Sequence, residues 1–279
     1  MRQAIDLRHL GRDRVICAYE IDGVVVDPGP ASCLEMLAEL RPHALLLTHI
    51  HLDHAGATGA LVRRNPQLKV YVHELGAAHL VDPTRLLASA RRLYGSEMEE
   101  LWGEVAAVPE RNIVALTGGE VVEGFRVAYT PGHASHHVSY LDQSTGDAYT
   151  GDSAGIRIPP SSLIMAPTPP PDVDLDGWQR SIEEIAAWRP TALCLTHFGC
   201  VTDVEDHLLQ LRARIAELGR SSRDGRRDDF RAAVEAQIAS GADAATGERY
   251  RSAGSPEQMW LGLERYWRKR RESGQLTVS

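Results

Sequence analysis

Short apolar runs alternate with helical patterns along most of the chain, and this alternation predicts an α/β protein. The runs Val24-Val25-Val26 and Ala44-Leu45-Leu46-Leu47 have the length and residue types of buried strands. Leucines recur at helical spacing over residues 33–40, and Pro42 then ends the predicted helix. Further strands are expected near residues 15–19, 69–72, 113–116, 121–129, 137–142, 147–150 and 192–195, with further helices at 56–64 and 177–188.

Two segments extend this layered pattern. Residues 77–108 carry apolar side chains at helix-like spacing, which predicts a helical insertion that packs on the core, forms a lid or wall over the metal centre, or does both. Amphipathic helical patterns return after residue 204, with Gly- and Ser-rich stretches at 219–227 and 240–256 that predict linkers. We therefore expect a main domain at 1–204 and a C-terminal helical region at 205–279.

Side chains that bind metal ions cluster directly after the apolar run at 44–47. Residues 48–54 read Thr-His-Ile-His-Leu-Asp-His. In an extended segment, alternate side chains share a face, so His49, His51 and Asp53 point the same way. Imidazole and carboxylate groups suit Zn, Fe and Mn. The alternative is a polar turn whose histidines face solvent.

Three more ligand-type residues follow predicted strands farther along the chain. His133 comes after the strand that ends near residue 129, Asp152 after the one near 150, and His197 after the one near 195. Loops at strand ends are where scaffolds commonly carry functional groups. Taken singly, each is more typical of a capping or surface residue, but together they favour one site.

This pattern resembles the metallo-β-lactamase superfamily, in its glyoxalase-II-like or lactonase-like hydrolase branches. The resemblance spans about residues 24–197, and H-x-H-x-D-H at 49–54 is its specific part. It implies an αββα sandwich with a C-terminal helical extension and a centre with two divalent metal ions, zinc first, with iron or manganese as alternatives. By the family pattern, one metal binds His49, His51 and His133, the second binds Asp53, His54 and His197, and Asp152 bridges both.

The resemblance also implies a function. A dinuclear metal-dependent hydrolase would cleave a small acyl ester, thioester or lactone by metal-bound hydroxide, with Asp53 and Asp152 as the catalytic carboxylates. An iron-dependent redox enzyme similar to persulfide dioxygenases, and a phosphodiesterase, are the alternatives on the same fold. A binding protein with a vestigial site is disfavoured by the complete ligand set.

Two further groups of residues are assigned supporting roles. Pro131-Gly132-His133-Ala134-Ser135-His136-His137 is similar to the glyoxalase-type P-G-H-T-x-G-H element, with His136 where glycine is usual. His137 is expected to support a ligand rather than bind metal. The substrate pocket is expected at the proline-rich loop at 158–171, which follows Asp152, with Arg157, Ile158, Leu163 and Met165 as its expected lining.

Composition narrows the range of partners. The formal charge of −8 argues against nucleic-acid binding by a basic surface. No run of eighteen apolar residues is present, so no membrane span is expected. The N-terminus lacks the apolar stretch of a secretion signal, which predicts a cytoplasmic protein. The four cysteines form no C-x-x-C pair, and no disulfide framework is expected. The expected partner is a small-molecule substrate. The C-terminal helices are expected either to supply substrate contacts, as the resemblance to glyoxalase II implies, or to form the surface of a homodimer.

Overall fold

The computed structural model describes residues 3–274, in which two six-stranded sheets pack face to face. In the first sheet the strands follow chain order, antiparallel from β1 to β3 and parallel from β3 to β6. Its strands are β1 Gln3–Asp6, β2 Cys17–Ile21, β3 Val24–Val26, β4 Ala44–Leu46, β5 Lys69–His73 and β6 Ile113–Leu116.

The second sheet has the order β12-β11-β10-β9-β8-β7. Its neighbours are antiparallel except β10 and β11, which run parallel because α6 connects them. The strands are β7 Val121–Val122, β8 Phe125–Tyr129, β9 Val138–Asp142, β10 Asp147–Tyr149, β11 Ala192–Leu195 and β12 Gly199–Val201.

Helices cover the outer faces of both sheets. Four short 3₁₀ helices lie at His9–Gly11, Ala31–Leu37, Gly95–Glu97 and Glu110–Asn112. The α-helices are α1 Leu52–Ala55, α2 Thr58–Arg64, α3 Glu74–Val81, α4 Thr84–Tyr94, α5 Met98–Trp102, α6 Leu175–Ala187, α7 Val204–Arg223, α8 Arg227–Gly241, α9 Ala244–Ala253 and α10 Pro256–Glu272.

Apolar side chains fill three layers. Between the sheets, Tyr19, Tyr140 and Tyr149 are almost completely buried. One apolar cluster joins the outer face of the first sheet to its helices, and another joins the second sheet to α6 and the C-terminal helices. The αββα sandwich with C-terminal helices is thus confirmed. Because the C-terminal helices share the cluster of α6, burial of this large apolar area holds them on the sandwich.

Hydrogen bonds lock the two sheets together just before the loops that carry the candidate ligands. The hydroxyl of Tyr140 donates to the carbonyl oxygen of Leu47 at 2.8 Å, and that of Tyr19 donates to Leu195 at 2.6 Å. The main-chain N–H of Val138 donates to Thr48 across the same edge at 2.8 Å. The strand ends of both sheets therefore meet at one edge with fixed positions.

Several elements differ from the sequence predictions. Residues 121–129 form a hairpin rather than one strand, because Glu123 and Gly124 adopt positive φ angles of 49° and 86° and turn the chain. The predicted helix at 33–40 is a 3₁₀ helix that ends at Leu37. The expected linker at 240–256 contains α9, which Asp243 caps by accepting a hydrogen bond from the Thr246 N–H.

The cysteines also differ from expectation. Cys194 and Cys200 lie directly opposite each other in the antiparallel pair of β11 and β12 and form a disulfide, whereas no disulfide was predicted. Cys17 and Cys33 are free and buried. Within residues 3–274, no helix has the length and apolar character needed to cross a bilayer.

Candidate metal centre

All seven candidate ligands meet at the sheet edge described above. His49 and His51 follow β4, and Asp53 and His54 lie on α1, so the chain leaves the extended form at Leu52. The prediction that alternate side chains of residues 49–53 share one face of an extended segment therefore holds only as far as His51. His133 lies between β8 and β9, Asp152 follows β10, and His197 lies between β11 and β12. Strands from distant parts of the chain thus bring the seven candidate ligands together in one compact cluster.

His49, His51 and His133 form the first trio, whose ring nitrogens converge. His49 Nε2 and His133 Nε2 each lie 2.9 Å from His51 Nδ1. His133 already donates its N–H from Nδ1 to the Pro167 carbonyl oxygen at 2.9 Å, so its Nε2 carries a lone pair. A single N–H group can donate fully along only one of the two ring contacts. At least one contact is therefore left without a full hydrogen bond, and a cation bound among the three nitrogens would satisfy it.

Asp53, His54 and His197 form the second trio. Asp53 Oδ2 lies 3.4 Å from His197 Nε2 and 3.7 Å from His54 Nε2. In the described chain, both of these buried ring nitrogens lack a hydrogen-bond partner. Buried polar atoms are nearly always paired in native proteins, so orphaned ones at one point indicate a missing ligand.

Asp152 lies between the two trios. Its Oδ2 is 3.2 Å from His133 Nε2, whereas its Oδ1 is 3.5 Å from His54 Nε2 and 3.6 Å from His197 Nε2. Each carboxylate oxygen therefore faces a different trio. This is the arrangement of a carboxylate that bridges two ions.

The protonation states differ between the trios. Burial lowers the pKa of His49, His51 and His133 below the ordinary histidine value, which keeps these rings neutral and able to bind metal.

Burial acts in the same direction on His54 and His197, but the carboxylates of Asp53 and Asp152 outweigh it and raise the pKa of both rings. Burial alone would raise the pKa of Asp53 and Asp152, yet the surrounding histidines hold both pKa values below the ordinary range. The carboxylates are thus ionised, and a cation held by the second trio would take the place of the Nε2 protons of His54 and His197.

A buried carboxylate that the sequence prediction missed fixes the second trio. Asp27 is fully buried, and its Oδ2 accepts hydrogen bonds from His54 Nδ1 at 2.8 Å, the Thr48 hydroxyl at 2.7 Å and the Thr196 hydroxyl at 3.0 Å. Its Oδ1 accepts from the Thr48 main-chain N–H at 2.8 Å. Because the Nδ1–H group of His54 donates to this carboxylate, Nε2 is the ring nitrogen that faces the centre and could bind a cation.

The other histidines have similar support. His197 Nδ1 donates to the Val15 carbonyl oxygen at 2.7 Å, which leaves its Nε2 free. His137 Nε2 accepts from the Asp152 main-chain N–H at 3.3 Å, and its Nδ1 lies 3.0 Å from the Ser153 hydroxyl. The structure therefore places His137 behind Asp152 and outside the groups of residues that could hold a metal, as its predicted supporting role requires.

The donor set fits two divalent ions. Three imidazoles face one position, two imidazoles and a carboxylate face the other, and a shared carboxylate lies between them. This mixture of nitrogen and oxygen ligands is typical of zinc, iron or manganese. Cys200 is in none of these groups and is disulfide-bonded.

A cavity of about 390 Å³ opens beside the centre. His51, Asp53, His133 and Asp152 form its floor. Its walls come from the turn at residues 9–12, from α4 and α5, from prolines at 167–171 and from the segment 251–259. The predicted helical insertion at 77–108 therefore lies against the site.

The residues predicted for the substrate pocket lie elsewhere. Ile158 and Met165 are buried in the apolar cluster under the C-terminal helices, and Leu163 packs against it. The Tyr250 hydroxyl accepts from the Ile158 N–H and donates to the Leu163 carbonyl oxygen, which holds this loop against the helices. Arg157 donates to both oxygens of Asp203 at 2.8 Å. None of these four residues lines the cavity, because the C-terminal helices cover this part of the loop, whereas the end of the same proline-rich loop, at residues 167–171, does line it.

The fold and the paired His/Asp centre define a class of metal-dependent hydrolases built on an αββα sandwich. A sequence model of the metallo-beta-lactamase superfamily matches residues 18–197, and the chain belongs to this superfamily.

Several known proteins are similar to the chain. The metallo-beta-lactamase fold-containing protein ST1585 of Sulfurisphaera tokodaii is 27% identical over 210 residues, which are 72% of this chain and 78% of that protein. Its crystal structure matches with a TM-score of 0.62 at 26% identity and covers 75% of this chain and 85% of that one. The structure of TTHA1623 in a di-iron-bound form matches at 26% identity with a TM-score of 0.51, over 72% of this chain and 93% of that one.

The hydroxyacylglutathione hydrolase of Thermosynechococcus vestitus is 32% identical over 135 residues, which are 46% of this chain and 42% of that protein. The chain therefore spans less than half the length of this enzyme.

Proposed function

We propose that the protein is a dinuclear metal-dependent hydrolase that cleaves a small acyl ester, thioester or lactone. The observation that carries this proposal is the position of Asp152, with one oxygen toward each trio. The likeness to hydroxyacylglutathione hydrolase supports acyl hydrolysis.

Zinc is the metal we propose, with iron or manganese as alternatives. Ions held here would lower the pKa of a coordinated water and polarise a substrate carbonyl. TTHA1623 was crystallised with two irons, which supports a two-metal centre and keeps iron among the candidates.

The chain supplies the rest of the chemistry. Asp53 and Asp152 both border the cavity, so a substrate carbonyl that enters it reaches the centre directly. Asp53 is the more exposed of the two, with 22% of its side chain accessible against 4% for Asp152. We assign Asp53 to accept a proton as the substrate bond breaks, and Asp152 to hold the two metal positions together. Asp27, His137 and the carbonyl groups behind the histidines fix the ligand directions.

The proposed partner is a small molecule, because a cavity of about 390 Å³ leads to the centre and the chain carries a net charge of −8. A homodimer and a cytoplasmic location remain predictions from the sequence.

Metal analysis and activity assays on the same protein test this proposal. We expect two metal ions per chain by mass spectrometry and hydrolysis of p-nitrophenyl acetate, a simple lactone or S-lactoylglutathione. Bis-p-nitrophenyl phosphate tests the phosphodiesterase alternative. One iron per chain with oxygen uptake would instead support the redox alternative.

A matched pair of carboxylate variants links the activity to the centre. Asp152→Asn should lose the second metal and reduce kcat/KM at least about 100-fold. Asp228→Asn changes a carboxylate whose side chain is 91% exposed and should have no effect. Equal activity in the two variants would contradict the proposal.

A further inference from the structure

The cavity wall is assembled from segments that lie outside the strands and ligand loops. The turn at residues 9–12, the helices α4 and α5, and the segment 251–259 each contribute side chains. These segments are far apart in sequence, yet they enclose one space next to His51 and Asp53. What the cavity accepts is therefore decided by residues that do not touch the metal positions.

Most of the side chains in this wall are apolar. Trp102 is 6% exposed, and Tyr94 packs edge-on against it at a centroid distance of 5.0 Å. The apolar wall residues are Leu10, Leu86, Ala90, Leu93, Leu101, Ala253 and Met259, with Pro167, Pro169, Pro170 and Pro171 beside them. An apolar wall gains free energy by removing apolar substrate surface from water.

Several polar side chains of the wall are already engaged within the protein. His9 Nε2 lies 2.8 Å from the Leu101 carbonyl oxygen, and its ring stacks on Trp102. The Thr168 hydroxyl donates to the Met259 carbonyl oxygen at 3.1 Å, and Arg251 pairs with Glu235 and Glu248. Hydrogen bonds to a substrate would therefore come from the remaining polar side chains at the wall, which include Ser89, Ser255 and Gln258.

The charges at the wall match a glutathione conjugate only in part. Apart from the metal centre, the charged side chains that line the cavity are Arg12, Glu97 and Arg251. Arg251 pairs with two glutamates, whereas Arg12 donates to the neutral Ser252 hydroxyl at 2.7 Å and keeps its charge. A glutathione conjugate would bring two carboxylates and an ammonium group, and one arginine with one glutamate is a small set of partners for these three charges.

We propose that the cavity binds the apolar acyl chain of a neutral ester, thioester or lactone, with its carbonyl group at the metal end. This inference rests on the proposed hydrolase function and names its substrate class. The volume of about 390 Å³ lies within the range of small-molecule sites. Ser89 and Ala90, on the face of α4 that borders the cavity, lie beside the path of the chain.

A series of p-nitrophenyl esters from acetate to dodecanoate, assayed with the metal-loaded protein, tests the substrate class. Each added methylene should raise kcat/KM about fourfold until the cavity is full, after which the rise stops. S-lactoylglutathione should react with a lower kcat/KM than the best neutral ester. A series without any rise, or a preference for the glutathione thioester, would overturn the inference.

Two neighbouring positions on α4 provide a matched pair of variants. Ser89→Phe places a ring in the cavity, and its loss of kcat/KM should grow with chain length to at least about tenfold for octanoate. Ala88→Phe adds the same ring at an exposed position outside the cavity and should follow the parent protein at every length. Equal profiles for the two variants would contradict the assignment of the cavity.

A binding measurement separates this inference from the hydrolase proposal. Fatty acids from butanoate to dodecanoate should change the fluorescence of Trp102, with an affinity that rises with chain length, and Trp102→Phe should remove the signal. Length-dependent binding without hydrolysis would leave the substrate class standing and refute the reaction. Hydrolysis without dependence on chain length would refute the substrate class and keep the reaction.

Discussion

The substitution Asp27→Asn isolates the support behind the second trio. In the protein, three donors meet at Asp27 Oδ2, including His54 Nδ1, while the Thr48 N–H meets Oδ1. Asparagine can keep its oxygen toward the Thr48 N–H, but it places an NH₂ group opposite His54 Nδ1. The imidazole then moves its proton to Nε2, which removes the lone pair that faces the centre.

The magnitudes follow from these contacts. The two threonine hydroxyls can rotate toward other partners, so Asp27→Asn should lower the free energy of unfolding by only about 2 kcal/mol. Asp27→Ala leaves the Thr48 N–H and His54 Nδ1 without partners, and we expect a loss of about 4 kcal/mol. The affinity for the second metal ion should fall about 10- to 100-fold in Asp27→Asn, as is typical when the support of a metal-binding histidine is removed.

Zinc titration by calorimetry and urea unfolding of the metal-free protein measure the two effects separately. Asp142→Asn is the matched control, since Asp142 is also buried and accepts hydrogen bonds from Ser144 and Thr145 but touches no candidate ligand. The Asp142→Asn substitution should lower the free energy of unfolding and leave the zinc affinity unchanged. If Asp27→Asn bound both zinc ions with the parent affinity, the orienting role of Asp27 would be wrong.

Three further predictions concern the rest of the centre. Removal of metal with a chelator should lower the Tm and abolish esterase activity, and restoring zinc at about 1,000 times its Kd should return about 4 kcal/mol of stability; an unchanged Tm would argue against a bound ion. Burial lowers the pKa of His136 to about 4 in the folded chain, so the unfolded chain binds this proton first and stability falls as the pH drops below about 6.5. The cost is about 2 kcal/mol at about pH 5 in metal-free protein, and His136→Gln should flatten that part of a urea-unfolding profile. Gly132 has a φ of 146°, and a Cβ there would lie 2.3 Å from Trp178 Cβ, so Gly132→Ala should displace the adjacent His133 and lower the free energy of unfolding by about 3 kcal/mol; a parent-like urea midpoint would contradict this.

The ligand residues could be predicted from the sequence because each group of them follows an apolar strand. The run at 44–47 and the short segments before His133, Asp152 and His197 are recognisable locally, and strand ends tend to meet. The role of Asp27 could not be predicted from the sequence, since it depends on contacts to Thr48 and Thr196, which are distant from it in the sequence. A buried aspartate after a strand of valines was the only available signal.

The substrate cavity was predicted only in part, for a related reason. The sequence placed it on the loop at 158–171 because this loop follows Asp152 and carries apolar side chains. Ile156 and Met165 pair through an isolated bridge that folds the first part of the loop under the C-terminal helices. The observed wall combines the end of the loop, at 167–171, with residues near 10, 90 and 255, and only tertiary packing brings them together.

A crystal structure of the zinc-loaded protein, with anomalous diffraction recorded at the zinc edge, tests the central claim most directly. We predict two anomalous peaks about 3.5–4 Å apart, one against His49, His51 and His133, the other against Asp53, His54 and His197, with Asp152 between them. A single peak, or peaks that leave Asp152 uncoordinated, would contradict the account.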